Sequence, residues 1–117
     1  MFWRKRKADV HKQQTVHFIG EQDGDPERLL KEALINEFGG AAEISRAYLA
    51  RVEYADGVHV ALCLAVPEDP AVVARVGTVF GGLFGRHEHL DVLFLDPDQE
   101  ATLRRVCTPF HVANAGR

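Results

Sequence analysis

The chain has 117 residues, of which 46% are hydrophobic and 26% charged; this is typical of one globular domain and excludes a disordered or fibrous protein. Its two cysteines, Cys63 and Cys107, lie in apolar runs and are too few for a disulfide framework, so we expect a reducing, cytoplasmic setting. The net charge of −3 is uneven: five basic residues against one acidic residue give residues 1–14 a charge of +4, and the remainder carries −7.

Residues 1–14 form a basic tail in which Phe2 and Trp3 precede a cluster of four cations: Arg4, Lys5, Arg6 and Lys7. The tail lacks the apolar core of a secretory signal, and no apolar run is long enough to span a membrane. We expect a flexible tail. One alternative is a polyanion-binding site, because Lys and Arg gain free energy by releasing counterions, although the acidic body disfavours nucleic acid as the partner. The other alternative is an anchor at an anionic membrane surface.

The first half of the chain predicts a strand, a helix and a hairpin. Residues 15–19 are β-branched and aromatic, which favours a strand. Asp25, followed by proline, predicts a helix N-cap, and apolar residues at helical spacing extend to Phe38 before two glycines. Two β-rich runs, residues 44–54 and 58–66, then flank an Asp-Gly turn, the strongest short-range signal of a hairpin.

The second half repeats the alternation of helix and strand. Asp69, followed by Pro70, predicts a second N-cap, and the apolar stripe of this helix ends at Phe84. Glycines at positions 77, 81 and 85 predict close packing of the helix on a sheet, with an irregular last turn because interior glycines weaken helices. The apolar run 90–95 predicts a central strand, and residues 98–107 predict a short third helix.

The predicted order is strand, helix, strand, strand, helix, strand, helix. It resembles the split βαβ arrangement of ferredoxin-like domains, with a four-stranded antiparallel sheet and the helices on one face. We therefore predict a single α+β domain over residues 15–111, followed by a flexible tail over residues 112–117.

Several segments resemble a known family. They are Phe18-Ile19-Gly20, residues 25–30, Arg46-Ala47-Tyr48-Leu49-Ala50, Leu90-Asp91-Val92 and Thr108-Pro109-Phe110-His111. Together they are similar to the C-terminal domain of the SseB (enhanced serine sensitivity) family, over roughly residues 15–111. The resemblance implies this fold and a cytoplasmic bacterial setting, and it carries over no catalytic residues.

The sharpest chemical pattern is His87, His89 and Asp91, with His59 as a neighbour on the hairpin. In an extended segment the first three side chains point to one side, and two imidazoles with a carboxylate can bind Zn²⁺ or Fe²⁺. The competing interpretation is that these histidines lie at the surface near a helix end.

A cysteine nucleophile is disfavoured. Cys107 and His111 are four residues apart, but Pro109 prevents a helix from bringing them together. Cys63 lies in a run that should be a buried strand, where a packed thiol is expected.

The pattern of residues favours a non-catalytic protein-interaction or accessory domain without a cofactor. The terminal Pro109, Phe110 and His111 form the predicted site for an unidentified protein partner, and exposed sheet edges favour a homodimer. The alternatives are a small metal-binding protein or enzyme using His87, His89 and Asp91, and a polyanion-binding protein using the basic tail.

Overall fold

The structure, a computed structural model, describes residues 16–39, 44–85, 88 and 90–113. The predicted alternation of strands and helices is confirmed, and one short strand is added near the end. In chain order the elements are β1 (His17–Glu21), α1 (Asp25–Phe38), β2 (Arg46–Tyr54), β3 (Gly57–Leu64), α2 (Pro70–Phe84), β4 (Asp91–Phe94), α3 (Pro97–Leu103) and β5 (His111–Val112).

Helix α1 has Gly24 as its N-cap, so the prediction that Asp25 caps it is wrong. Gly24 has a φ of 148°, and a Cβ there would lie 2.5 Å from Oε1 of Glu27. The positive φ, together with the Glu27 side chain folded back over the start of the helix, favours glycine at this position. The predicted end of the helix at Phe38 is confirmed.

The predicted hairpin is also confirmed. β2 and β3 pair antiparallel up to Tyr54 opposite Gly57, which leaves Ala55 and Asp56 as the two turn residues. Gly57 has a φ of 127°, a conformation that glycine adopts without the steric cost of a side chain.

Helix α2 begins as predicted, with the Asp69 side chain accepting a hydrogen bond from the backbone N–H of Ala71 at 2.9 Å. The helix continues through Gly81 and Gly82 to Phe84, so its last turns are regular. Both glycines are exposed, and a Cβ on either would meet no atom within 4 Å. The predicted close packing at Gly81 is therefore wrong.

The sheet is mixed. Its strand order is β1-β2-β3-β4, with β5 also paired to β2. The pairs β1–β2, β2–β3 and β2–β5 are antiparallel, whereas β3 and β4 are parallel. The prediction that all strands are antiparallel is wrong, and the ferredoxin-like arrangement is not confirmed. The parallel pair arises because α2 crosses over between β3 and β4 and returns the chain to the same end of the sheet.

Two hydrophobic clusters cover the two faces of the sheet. The larger cluster joins α1 and α2 to one face, where Leu34, Val76 and Leu62 are at most 1% exposed. The smaller cluster joins α3 to the other face, where Tyr48 and Leu103 are fully buried. The two main helices thus share one face, as predicted. Helix α3 lies on the other face, so the prediction that the helices are all on one face is wrong for α3.

Strand β4 is an edge strand, so the prediction that it is central is wrong. Its apolar composition has a different cause: Val92 packs in the larger cluster and Leu93 in the smaller one, which buries the strand on both faces. The third helix is also shorter than predicted and ends at Leu103. No helix in the described part of the chain has the length and apolar character needed to cross a membrane.

Candidate functional site

The carboxyl ends of β3 and β4 meet at one edge of the sheet. The two strands are in parallel register up to Leu64 opposite Phe94, and the backbone N–H of Leu95 donates to the carbonyl of Leu64 at 2.8 Å. From this edge the chain enters α2 on one face after β3 and α3 on the other face after β4. In α/β sheets such a divergence opens a crevice in which ligands bind.

A cleft of about 410 Å³ lies at this edge, and we call it the carboxyl-end cleft. Its lining is mostly apolar and comprises Ala65, Val66, Pro67, Leu95 and Pro97, together with the charged side chains of Arg46 and Glu100. A second hollow of about 240 Å³ lies beside it, lined by Val66, Pro67, Glu68, Asp69 and Val72. Val66 and Pro67 line both, so the two hollows are neighbours.

Arg46 and Glu100 form a bidentate ion pair at the wall of the cleft. Nε of Arg46 donates to Oε2 of Glu100, and Nη2 donates to Oε1 at 2.9 Å. The hydroxyl of Tyr48 also donates to Oε2 of Glu100, at 2.6 Å. Strand β2 positions Arg46 and Tyr48 on the same face, because they are two residues apart, and α3 supplies Glu100 from above that face.

These contacts fix the charge of each group. Hydrogen bonds from Arg46 lower the pKa of Glu100 to about 2, against the opposing effect of burial. Burial, followed by the contact with Glu100, raises the pKa of Tyr48 to about 12. The hydrogen bond to Glu100 raises the pKa of the Arg46 guanidinium. At neutral pH the carboxylate is ionised and the phenol is protonated, so neither is poised for proton transfer.

The rim of the edge is acidic. Glu68, Asp69, Asp96 and Asp98 are all exposed around the two turns that follow β3 and β4. Asp69 and Asp96 have a structural role as well, because each caps the helix that follows it.

Both thiols lie outside the cleft and are unsuited to nucleophilic attack. Cys63 is fully buried on β3, and burial raises the pKa of its thiol. Cys107 is 5% exposed, and burial followed by the charge of Glu21 raises its pKa to about 11. A thiol protonated at neutral pH is a weak nucleophile.

The predicted partner-binding segment lies beside β2. The backbone N–H of Phe110 donates to the carbonyl of Ala47 at 2.9 Å, and His111 pairs with Ala47 in the β2–β5 ladder. The ring of Phe110 is half-buried against the larger hydrophobic cluster. His111 is 8% exposed, and its ring lies 5.3 Å from that of Phe38 in an edge contact. Pro109 is half-buried.

Of the predicted metal ligands, only Asp91 belongs to the described residues; His87 and His89 lie outside them. Asp91 is fully buried and pairs in register with Ala61 of β3. His59 is two residues from Ala61 and so faces the same side of the sheet, where it contacts Asp56 at 3.0 Å. Within the described ranges no three His, Cys, Asp or Glu side chains are grouped as metal ligands.

The predicted polyanion site, Arg4, Lys5, Arg6 and Lys7, also lies outside the described residues.

Sequence reasoning missed the ion pair that forms the wall of the cleft. Arg46 and Glu100 are 54 residues apart, and no local spacing connects them. The available signal was the repeated pattern of an apolar run followed by an Asp-Pro helix start, at Asp69 and Asp96. Two such starts after parallel strands would place both turns at one edge of the sheet.

Comparison with known families places the chain in one of them. The profile described as SseB protein C-terminal domain matches residues 10–112, a span that includes every strand and helix from β1 to β5. The chain belongs to the SseB protein C-terminal domain family. No curated protein and no solved structure matches the chain.

Proposed function

We propose that this SseB C-terminal domain is a non-catalytic protein-interaction module that binds an apolar, basic peptide segment of a partner in the carboxyl-end cleft. The observation that carries the proposal is the cleft itself, whose apolar floor is bordered by acidic side chains. Its size falls in the range of about 300–1,000 Å³ that is typical of ligand pockets.

The chemistry of the cleft wall favours binding over catalysis. Arg46 and Tyr48 occupy both oxygens of Glu100, and the pKa of this carboxyl is lowered to about 2. A general acid or base would need a pKa near the working pH. The wall therefore supplies a fixed shape rather than a group that exchanges protons.

The charges at the edge indicate the chemistry of the partner. Among the described residues, this edge carries five carboxylates, those of Glu68, Asp69, Asp96, Asp98 and Glu100, and two guanidinium groups, those of Arg46 and Arg104. The excess of negative charge attracts Lys and Arg and repels acidic segments, which sets specificity and speeds association. The apolar floor provides the contact area for aromatic or aliphatic side chains.

The segment Pro109, Phe110 and His111 extends the same surface in this proposal. Val112 is 60% exposed and pairs with Arg46, so it lies on the far side of the residue that lines the cleft. A partner that reaches past Arg46 would contact Val112 and the exposed part of Phe110. An exposed apolar side chain next to a cleft is a common feature of interaction surfaces.

The cellular setting is a proposal of the same kind. Two buried free thiols suit a reducing cytoplasm. Among the described strands, β1 and β5 lie along one edge of the sheet and β4 lies along the other, and edge pairing would give a homodimer. A metal site at His87, His89 and Asp91 remains a prediction, supported by the buried carboxylate of Asp91.

A peptide array tests the chemistry of the partner. The 117-residue chain is applied to immobilised peptides that vary independently in apolar content and in charge. We expect binding to peptides that combine aromatic or aliphatic residues with Lys or Arg. The variant Glu68→Lys/Asp98→Lys should lose this binding, whereas the control Glu32→Lys/Glu53→Lys, with the same change in net charge at exposed positions elsewhere, should retain it.

The proposal fails if the two variants bind alike, or if neutral or acidic peptides are preferred. The array is repeated with Arg4, Lys5, Arg6 and Lys7 changed to Gln. This change prevents the cations of the chain's own basic tail from competing with the peptides for the cleft. Absence of binding in that variant also contradicts the proposal.

A further inference from the structure

We propose that residues 1–7 of this chain bind in the carboxyl-end cleft of the same molecule and so compete with the partner. The inference rests on the proposed function for the location of the cleft, and it adds a means of regulation. The occupant is Met1-Phe2-Trp3-Arg4-Lys5-Arg6-Lys7, which combines two aromatic side chains with four cations.

Charge complementarity is the first argument. The segment carries four positive charges, whereas the described residues at the cleft edge carry five carboxylates and two guanidinium groups. The ion pair with Glu100 already neutralises Arg46, so its positive charge does not oppose a basic occupant. The carboxylates of Glu68, Asp69, Asp96 and Asp98 are exposed at this edge, and their negative charge attracts Arg4, Lys5, Arg6 and Lys7.

The apolar lining is the second argument. The cleft of about 410 Å³ has walls of Val66, Pro67, Leu95 and Pro97. Phe and Trp side chains bury roughly 150–250 Å² each and gain most from such surroundings. Trp3 is the only tryptophan of the chain, and it directly precedes the cations. An aromatic ring in the cleft with the cations at its acidic rim satisfies both features of the site.

The length of the connecting segment permits the contact. Strand β1 begins opposite Glu53, near the end of β2, whereas the cleft lies at Arg46. Glu53 and Arg46 are seven residues apart on β2, which corresponds to roughly 23 Å along the strand. Residues 8–15 can span up to roughly 28 Å when extended. The segment is thus long enough to reach the cleft of its own chain.

Because residues 1–7 belong to the same chain as the cleft, they occupy it even when their affinity for it is low. A tethered segment has an effective concentration in the millimolar range for short linkers. A partner must then displace the segment, and any condition that weakens the charge attraction opens the cleft. The charge attraction is screened by salt, because the Debye length falls from about 10 Å at 0.1 M to about 3 Å at 1 M.

Fluorescence of Trp3 tests the inference in the 117-residue chain. At low salt we expect blue-shifted emission and weak quenching by acrylamide, both independent of protein concentration. The variant Glu68→Lys/Asp98→Lys should shift the emission to the red and increase quenching, whereas Glu32→Lys/Glu53→Lys should leave both unchanged. Raising NaCl to 1 M should reproduce the effect of the first variant, and circular dichroism checks that both variants remain folded.

Fully exposed Trp3 emission at low salt would overturn the inference, as would identical spectra for the two variants. A blue shift that appears only at high protein concentration would also overturn it, because it indicates binding to a second copy. None of these results changes the outcome of the peptide array with the neutralised segment, so the inference can fail while the proposed function stands.

Discussion

At the scale of single residues, Glu100 is the ionised carboxylate around which the charged wall of the cleft is built. Its carboxylate accepts hydrogen bonds from Arg46 and Tyr48 while being only 9% exposed. A carboxylate with these partners is more stable ionised in the folded chain than in the unfolded one, which is why its pKa falls to about 2. The pair thereby links β2 to α3 and fixes the shape of the cleft.

Glu100→Gln tests this role through the pH dependence of stability. The folded pKa is lower than the unfolded value of 4.5, so the contribution is present above pH 4.5 and is lost as the pH falls towards 2. We expect the variant to lose about 2 kcal/mol at pH 7, since a third of the Arg46 side chain stays exposed and can be rehydrated.

The measurement is urea unfolding at several pH values. The difference in unfolding free energy between wild type and Glu100→Gln should shrink below pH 4.5 and vanish near pH 2. Tyr48→Phe serves as a milder control that removes one donor and should cost about 1 kcal/mol. A difference that stays constant across this pH range would contradict the ion-pair account.

At this scale the sequence predicted contacts between residues that are close along the chain and did not predict contacts between distant ones. Asp69 was identified as an N-cap because its partner, the N–H of Ala71, is two residues away. Arg46 and Glu100 were not identified because the contact joins different elements. Gly24 was overlooked as the cap of α1 because the competing cap, Asp25, has the more favourable side chain. The positive φ of Gly24 and the nearby Glu27 side chain, which favour glycine, arise only in the folded chain.

At the scale of elements, local signals predicted the helices and the hairpin but not the direction of β4. A parallel or antiparallel pair depends on where the crossover helix returns the chain, and no residue of the apolar run 90–95 encodes that. The run was also interpreted as central because strands buried on both faces are usually central. Here α2 and α3 cover both faces of an edge strand.

The glycines of helix α2 can be tested for their effect on the stability of the fold. Gly81→Ala should raise the free energy of unfolding by about 1 kcal/mol, because the residue is helical, exposed and free of neighbours within 4 Å of a Cβ. Gly85→Ala is the matched control and should lower it, because Gly85 has a φ of 81°. Denaturant unfolding measures both, and a destabilised Gly81→Ala variant would contradict the open position described for this residue.

The β5 segment can be tested by truncating its aromatic side chain. Phe110→Ala should lower the free energy of unfolding by about 2 kcal/mol, which is less than for a fully buried ring because the side chain is half-exposed. Val112→Ala, a change at a side chain that is 60% exposed, is the control and should cost far less. Urea unfolding decides, and equal costs would mean that Phe110 does not pack against the core.

At the scale of the whole molecule, the fold concentrates acidic and apolar residues at one edge of the sheet. The parallel pair β3–β4 brings two turns together, and each turn combines prolines with carboxylates. Four of the carboxylates that give residues 15–117 their −7 charge, those of Glu68, Asp69, Asp96 and Asp98, thus lie beside an apolar cleft, while the basic tail carries +4. This distribution of charge is the basis for an interaction module whose partner is basic and apolar.

In-cell photo-crosslinking tests that claim most directly. A benzophenone amino acid is placed at Pro67, which is exposed and lines both hollows, or at Val58, which is 53% exposed at the opposite end of β3. Both variants carry Gln in place of Arg4, Lys5, Arg6 and Lys7. We predict a discrete protein adduct at Pro67 but not at Val58, with the crosslinked partner peptide rich in apolar residues and in Lys or Arg. Identical adducts at both positions, no adduct at Pro67, or an acidic crosslinked peptide would contradict the account.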